Sequence, residues 1–162
     1  SKKYMLKSQI QENPLLKVAE VELHYISRVN ANDRYKIVSS RQAFEILMQV
    51  YDPNKIEHKE FFFVLFLNRA NRLLGSMQVS EGGITGTVAD IRNIFQGALL
   101  ANATSIILSH NHPSGNLIPS ESDKLLTRKL KDAGNVLDIP VRDHVIVTAY
   151  NEYFSFADEG IL

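Results

Sequence analysis

The 162-residue chain has the length of one domain, and its composition of 44% hydrophobic and 22% charged residues suffices for a buried core. Its 18 basic and 18 acidic residues balance to a formal net charge of +0, which argues against a protein built to wrap nucleic acid, because phosphate binding requires an excess of cations. The absence of cysteine excludes disulfides and thiolate metal ligands.

Nothing in the sequence predicts secretion or a membrane partner. No run reaches the roughly 18 apolar residues that a membrane-spanning helix requires, and residues 1–6 are too short and polar for a secretory signal. Together with the missing cysteines, these features favour the reducing environment of the cytoplasm. The chain begins with serine rather than methionine, so the sequence leaves open whether native residues precede it.

The first 38 residues, 1–38, are predicted to form an N-terminal arm and one strand. Residues 1–15 are polar and weakly patterned, which is typical of an arm. Over 18–29 apolar and polar side chains alternate with the period of a half-buried strand. A polar, asparagine-containing break at 30–34 then predicts a turn.

A helix and a pair of strands are predicted next. Ser39 and Ser40 are candidate caps for a helix that ends at 52–54. The continuous apolar run at 60–67 is rich in phenylalanine and indicates a central strand buried on both faces. After a short turn, residues 73–79 are predicted to pair back with it as a second strand.

The second half of the chain alternates helices with short strands. Asp90 is expected to begin a helix, and a loop at 110–119 leads into another helix at 121–133 that Gly134 closes. Further strands are predicted at 105–109, 141–148 and 153–156. This alternation favours an α/β fold in α-β-α layers around a mixed sheet.

Three residues around the 110–119 loop predict a metal site. His110 and His112 are one residue apart, so in strand geometry both imidazoles point to the same side. Asp123 lies in the first turn of the next helix, where the loop can bring its carboxylate back toward them. Two histidines and a carboxylate, with a fourth position open for water, are typical of catalytic zinc.

The same residues also have simpler interpretations. A His-x-His pair at a strand end is often part of a polar loop and nothing more. Ser120 and Asp123 have the spacing of a capping box, in which an acid three residues after the N-cap stabilises the helix start. The capping and metal interpretations are compatible, because a capped helix start holds the Asp123 carboxylate in place.

A zinc hydrolase also needs a base near the bound water. Glu60 stands at the head of the most apolar strand, where a carboxylate is either a solvated strand end or a buried functional group. Glu57 lies in a charged stretch and is the weaker candidate. For Asp143 and His144, which enter a predicted strand, a structural or supporting role is favoured over direct catalysis.

These residues carry a resemblance to a known family. The run His110-Asn111-His112-Pro113-Ser114-Gly115, followed by Pro119-Ser120-x-x-Asp123, resembles the JAMM motif of the JAB/MPN metalloprotease fold in its bacterial RadC form. The similarity extends over about 39–162 and includes the glutamate-bearing strand at 60–67. It therefore indicates a RadC-like MPN domain at 39–162.

The resemblance implies a cytidine-deaminase-like α/β/α fold and one zinc ion held by His110, His112 and Asp123. It also implies that Glu60 is the general base and that Ser120 hydrogen-bonds the developing oxyanion. The expected function is that of a zinc-dependent metallopeptidase or isopeptidase acting on a peptide or protein substrate.

Two other functions stay open on the sequence. One is a DNA-repair-associated RadC-like protein that binds DNA or a protein partner with little or no peptidase turnover, although the net charge of +0 does not favour nucleic acid. The other is an interaction scaffold, against which the complete motif argues. The sequence leaves the bond cleaved and the oligomeric state undetermined.

Overall fold

The computed structural model describes residues 22, 26, 28–82 and 89–162. The predicted arm at 1–15 and most of the predicted strand at 18–29 lie outside the described residues. The predicted turn is confirmed, because a short 3-10 helix at Ala31–Asp33 follows Asn30, whose side chain caps it. Within the described ranges, no helix is long and apolar enough to cross a membrane.

The strands of the described residues form one mixed, five-stranded sheet. In chain order they are β1 (Phe61–Leu67), β2 (Leu73–Glu81), β3 (Ser105–Asn111), β4 (Val141–Val147) and β5 (Tyr153–Ser155). Their spatial order is β2-β1-β3-β4-β5, with β3 and β4 parallel and the other neighbours antiparallel. The prediction of a mixed sheet is therefore confirmed.

Helices cover both faces of this sheet. In the part of the chain that the structure describes they are α1 (Ser40–Val50), α2 (Ile91–Leu100) and α3 (Glu121–Val136). Helix α1 packs on one face, and α2 and α3 pack on the other. The predicted α-β-α layering is confirmed.

Strand β1 lies at the centre of both cores, and all of its residues are buried. Phe63 and Leu65 contact the α1 layer, whereas Phe62 and Val64 contact the layer of α2 and α3. Because both faces are covered, the strand needs apolar side chains at every position, and the 60–67 run shows no alternation. Glu60 directly precedes the first residue of this strand.

The helix starts follow the predicted capping chemistry. The Ser39 hydroxyl accepts from the backbone N–H of Gln42, and the Asp90 carboxylate accepts from the N–H groups of Arg92 and Asn93. Ser39, and not Ser40, is the cap of α1. These caps satisfy backbone donors that no helical carbonyl can reach.

The end of α3 corrects the prediction that Gly134 closes it. Gly134 lies inside the helix, which continues to Val136, and Asp138 takes the left-handed conformation instead, with φ 56°. A Cβ on Gly134 would lie 2.4 Å from the carbonyl oxygen of Ile139. This glycine therefore permits the close approach of the chain that enters β4, rather than a turn.

Strand β3 also corrects the prediction, because it continues past Ser109. His110 pairs with Phe62 of β1 and with Ile146 of β4, so it belongs to the sheet and not to the following loop. Asn111 is likewise paired with β4. Neighbouring strands on both sides extend β3 into a polar segment that its own sequence would place in a loop.

Candidate metal centre

The three predicted ligands meet at the end of β3. The Nε2 atoms of His110 and His112 are 2.9 Å apart. The carboxylate of Asp123 lies across from both, with Oδ1 3.4 Å from Nε2 of His110 and Oδ2 3.5 Å from Nε2 of His112. One ligand atom from each residue lies within 4.8 Å of the others, so this group could hold a metal ion.

Strand geometry sets the direction of the first two ligands. His110 and His112 share one side of the chain, as their period predicts, and Asn111 points to the other side. There the Asn111 amide accepts from the N–H of Phe61 at 2.7 Å and donates to the carbonyls of Ile56 and Lys59, each at 2.7 Å. No pattern in the sequence indicates a role for Asn111, yet this side chain fixes the segment that carries Glu60.

Backbone carbonyls of β4 and of the loop after β3 hold His112. The N–H of His112 donates to the carbonyl of Val147, and its ring Nδ1 is in hydrogen-bond contact with the carbonyl of Asn116. Gly115 has φ 83°, and a Cβ there would lie 2.8 Å from the ring of Tyr150. This loop therefore turns tightly under Tyr150, a contact that no sequence pattern predicts.

Helix α3 supplies Asp123 from a complete capping box. The Ser120 hydroxyl accepts from the N–H of Asp123 at 3.1 Å, and Oδ2 of Asp123 accepts from the N–H of Ser120 at 2.7 Å. Burial raises the pKa of Asp123, but its contacts with His110 and His112 outweigh burial and lower the pKa far below the ordinary range. The capping interpretation is confirmed, and the same carboxylate still faces both imidazoles.

Behind His110 lies a second, fully buried histidine. Nε2 of His144 is 2.7 Å from Nδ1 of His110, and Nδ1 of His144 is 2.6 Å from the hydroxyl of Thr127. Burial holds the pKa of His144 well below its usual range. His144 is thus placed to support a ligand, as expected. Thr127 was missed because only tertiary packing brings α3 and β4 together.

Asp143 takes part in structural hydrogen bonds. Its carboxylate accepts from the Ser155 hydroxyl at 2.6 Å, from the N–H of Ala157 at 3.0 Å and from the N–H of His144 at 2.7 Å. Burial raises the pKa of Asp143, and these hydrogen bonds partly offset that rise. The residue therefore ties β4 to the chain after β5, in line with the structural role favoured by the sequence.

Glu60 shares the electrostatic environment of the three ligands. Burial raises the pKa of its carboxyl group, the nearby charges of His110 and His112 lower it, and Asp123 raises it. Glu60 and His112 also line the same open groove, of about 470 Å³, between the segments 58–60 and 112–118. The structure therefore brings Glu60 beside the candidate metal centre, and a carboxyl group with a raised pKa suits proton transfer.

Ser120 lies at the exposed entrance to α3. Its oxygen accepts from Asp123 and lies 2.9 Å from the hydroxyl of Ser122. A hydroxyl group can accept and donate at the same time. The cap therefore does not use the proton of Ser120, which is available for a substrate acceptor when Ser122 is the donor in their contact.

The ligand spacing can be compared with that of zinc sites. Zinc bonds of about 2.0–2.1 Å at tetrahedral angles separate neighbouring ligand atoms by about 3.3 Å. Each carboxylate oxygen of Asp123 lies near this distance from one imidazole, Oδ1 at 3.4 Å from His110 and Oδ2 at 3.5 Å from His112, and the 2.9 Å between the imidazoles is somewhat shorter. Two imidazoles and one carboxylate are also a donor set that zinc accepts. The residues present fit the ion.

The fold and site define the chain as an α/β domain with a candidate metal centre at the end of β3, the middle strand of the sheet. The sequence model of the family described as "RadC-like JAB domain" matches residues 37–161. The chain belongs to this family, and the resemblance indicated by the motif is confirmed.

Curated relatives support the same assignment. Proteins named "UPF0758 protein" are similar to this chain in Flavobacterium johnsoniae, with 48% identity over 126 residues, and in Chlorobaculum parvum, with 44% identity over 144 residues. The first match covers 78% of this chain and 53% of the relative, and the second covers 89% and 63%. The chain therefore spans between half and two thirds of the length of these relatives, whose name states no activity.

Proposed function

We propose that this domain is a zinc-dependent hydrolase that cleaves an amide-type bond, either a peptide bond or an isopeptide bond to lysine. The observation that carries the proposal is the convergence of His110, His112 and Asp123, of which His112 lines the same groove as Glu60. A site that only stabilised the helix start would need neither the two histidines nor a glutamate with a raised pKa.

The three ligands would hold one zinc ion and leave a position toward the groove. Bound zinc supplies Lewis acidity, which polarises a carbonyl group and brings the pKa of a water molecule to about 7. His110 is 1% exposed, whereas the side chains of His112 and Asp123 are each 16% exposed. The open side of the centre therefore faces the groove, where a substrate can reach it.

Glu60 would act as the general base and then as the general acid. Its carboxylate takes a proton from the attacking water, and the proton then passes to the leaving amine. A raised pKa makes the carboxylate a stronger base than a solvent-exposed glutamate. The Asn111 hydrogen bonds to Phe61 and Lys59 hold Glu60 in place from both sides, which supports a role that depends on position.

Ser120 would donate a hydrogen bond to the oxygen of the tetrahedral species. The capping box fixes its side chain beside Asp123, and its proton can turn outward when Ser122 donates in the contact between the two hydroxyls. A donor aimed at developing negative charge stabilises the transition state more than the ground state. We therefore expect Ser120→Ala to lower kcat more than it raises KM.

The proposal is tested by metal analysis and hydrolysis assays on the purified chain. The probes are zinc, a quenched-fluorescence peptide library, and a set of dipeptides joined through the ε-amine of lysine. We expect zinc-dependent cleavage in at least one set. Glu60→Gln should bind zinc normally and lose cleavage, because the amide cannot accept the proton.

Glu57→Gln is the matched control, because it makes the same change on an exposed residue three positions earlier. It should cleave like the wild type. Full activity of Glu60→Gln would remove Glu60 as the base. A zinc-loaded chain that cleaves neither probe set but shows salt-dependent affinity for DNA would instead favour the DNA-repair-associated binding function.

A further inference from the structure

A chain of hydrogen bonds runs from the backbone of α3 to the rear of His110. The Thr127 hydroxyl donates to the carbonyl of Asp123 at 2.7 Å and lies 2.6 Å from Nδ1 of His144. Nε2 of His144 in turn lies 2.7 Å from Nδ1 of His110. Nδ1 of His110 is therefore the last atom of this hydrogen-bond series. Its other nitrogen, Nε2, faces His112 and Asp123.

The direction of each hydrogen bond follows from the one before it. A backbone carbonyl can only accept, so the proton of the Thr127 hydroxyl is used on Asp123. The Thr127 oxygen must then accept from His144, which places the ring proton of His144 on Nδ1. A neutral imidazole has one such proton, so Nε2 of His144 accepts and Nδ1 of His110 donates. The remaining nitrogen of His110 then presents a lone pair to the metal position.

Packing prevents His144 from leaving this arrangement. Its ring is fully buried and stacks on Phe156 at a centroid distance of 4.7 Å, and it makes a T-shaped contact with Phe62 at a centroid distance of 5.6 Å. Its backbone N–H donates to Asp143, and its carbonyl accepts from the N–H of Phe156. A ring enclosed in this way is neutral, because the cost of burying an imidazolium outweighs the attraction of the Asp123 carboxylate.

The two histidine ligands are thus prepared by different parts of the fold. His112 obtains its tautomer within its own loop, from the carbonyl of Asn116. His110 lies in the middle of the sheet, and its tautomer is set from α3, the helix that also supplies Asp123. The packing of α3 on the sheet therefore places the Asp123 carboxylate and also orients the lone pair of His110.

We propose that Thr127 and His144 are positioning residues of the metal centre, which fix His110 in the tautomer that binds metal through Nε2. This inference rests on the metal centre of the proposed function and names the residues that prepare it. Groups that hold a histidine ligand from behind commonly change metal affinity by about 10- to 100-fold when they are removed.

The test combines zinc affinity with the tautomers read by ¹⁵N NMR. The chain has five histidines, few enough for each ring to be assigned by substitution. In wild-type protein freed of metal by a chelator, we expect His144 and His110 to be protonated at Nδ1. Zinc should then bind Nε2 of His110 without moving the proton on Nδ1.

Thr127→Val removes the hydroxyl at nearly constant volume. We expect His144 to lose its single tautomer and zinc affinity, measured against a chromophoric chelator, to fall by at least about tenfold. Thr127→Ser should restore both. Ser109→Ala is the matched control, because it removes a buried hydroxyl, bonded to Tyr51 at 2.9 Å, from the opposite face of the same sheet. It should keep the wild-type zinc affinity.

Two results would overturn the inference: wild-type His144 protonated at Nε2, or Thr127→Val with wild-type zinc affinity. If Thr127→Val does not fold, the tautomer of His144 in the wild-type protein still tests the inference. Correct tautomers and tight zinc binding without any hydrolysis would overturn the proposed function alone. Zinc-dependent hydrolysis with the wrong tautomers would overturn this inference alone.

Discussion

His110 and His112 face each other through their Nε2 atoms, 2.9 Å apart. Nδ1 of His112 contacts a backbone carbonyl, which can only accept, so the ring proton of His112 lies on the far side from His110. Two lone pairs directed at each other repel unless a proton or a cation lies between them. This repulsion destabilises the metal-free site when both imidazoles are neutral, and a cation relieves it.

Zinc should accordingly stabilise the fold. At a free concentration of about 100 times Kd, binding to the native state alone contributes about 2.7 kcal/mol, which for a domain of this size raises Tm by roughly 5–10 °C. Differential scanning calorimetry with and without zinc measures the shift. Asp123→Asn and His112→Ala should abolish it, and a wild-type Tm that does not respond to zinc would contradict the metal centre.

The affinity for zinc should depend on pH. Burial lowers the pKa of His112, but its hydrogen bonds to Asp123 and to the carbonyl of Asn116 outweigh burial, so the net shift is upward. Zinc binds only the neutral imidazole, so protons compete from a pH above the ordinary histidine pKa of about 6.5. Affinity should therefore be constant at high pH and fall as pH decreases from 8 to 6.

Competition with a chelator of known pH dependence measures this profile. His58→Gln is the control, because His58 lines the same groove without belonging to the ligand group. It should leave the pH profile unchanged. Equal zinc affinity at pH 6 and pH 8 would show that no histidine of the site must lose a proton.

Much of this site could be predicted from the sequence because its signals are local. Alternation along a strand places His110 and His112 on one side, and the spacing of Ser120 and Asp123 is that of a capping box. Glu60 was found from its place at the head of an apolar run, but its proximity to the ligands depends on β1 pairing with β3.

Residues that act across elements were not predictable. Thr127 meets His144 only because α3 packs on β4, and a single sequence contains no record of that contact. Gly134 was misassigned as a helix cap because glycine has two uses, a left-handed conformation and a close approach. Only the carbonyl of Ile139 beside it shows that the second applies.

Gly115→Ala should weaken the metal centre. A left-handed backbone costs a residue with a Cβ about 1–2 kcal/mol, and the new methyl group would press on the ring of Tyr150. Because this loop holds His112, we expect a lower Tm and weaker zinc binding. Titration of zinc and thermal unfolding measure the two effects separately.

Two alanine controls separate the causes. Gly160 has φ 69°, and a Cβ there would meet nothing within 4 Å, so Gly160→Ala isolates the backbone cost. Gly75→Ala, at another open position without positive φ, should change neither Tm nor zinc affinity appreciably. If Gly115→Ala binds zinc like Gly160→Ala, the Tyr150 contact has no part in positioning His112.

Asn111→Ala should separate metal binding from catalysis. The substitution leaves the N–H of Phe61 and the carbonyls of Ile56 and Lys59 without their side-chain partner. Each unsatisfied buried group costs about 1–3 kcal/mol, so stability should fall clearly. These contacts flank Glu60 and not the zinc ligands, so cleavage should decline far more than zinc affinity does.

Asn68→Ala provides a matched comparison at the opposite end of β1. The Asn68 side chain accepts from the N–H groups of Ala70 and Arg72 in the turn between β1 and β2, away from the groove. Its loss should lower Tm without changing kcat at a temperature where both variants are folded. Equal loss of kcat in the two variants would mean that Asn111 affects only global stability, whereas a loss specific to Asn111→Ala would tie the catalytic position of Glu60 to this amide.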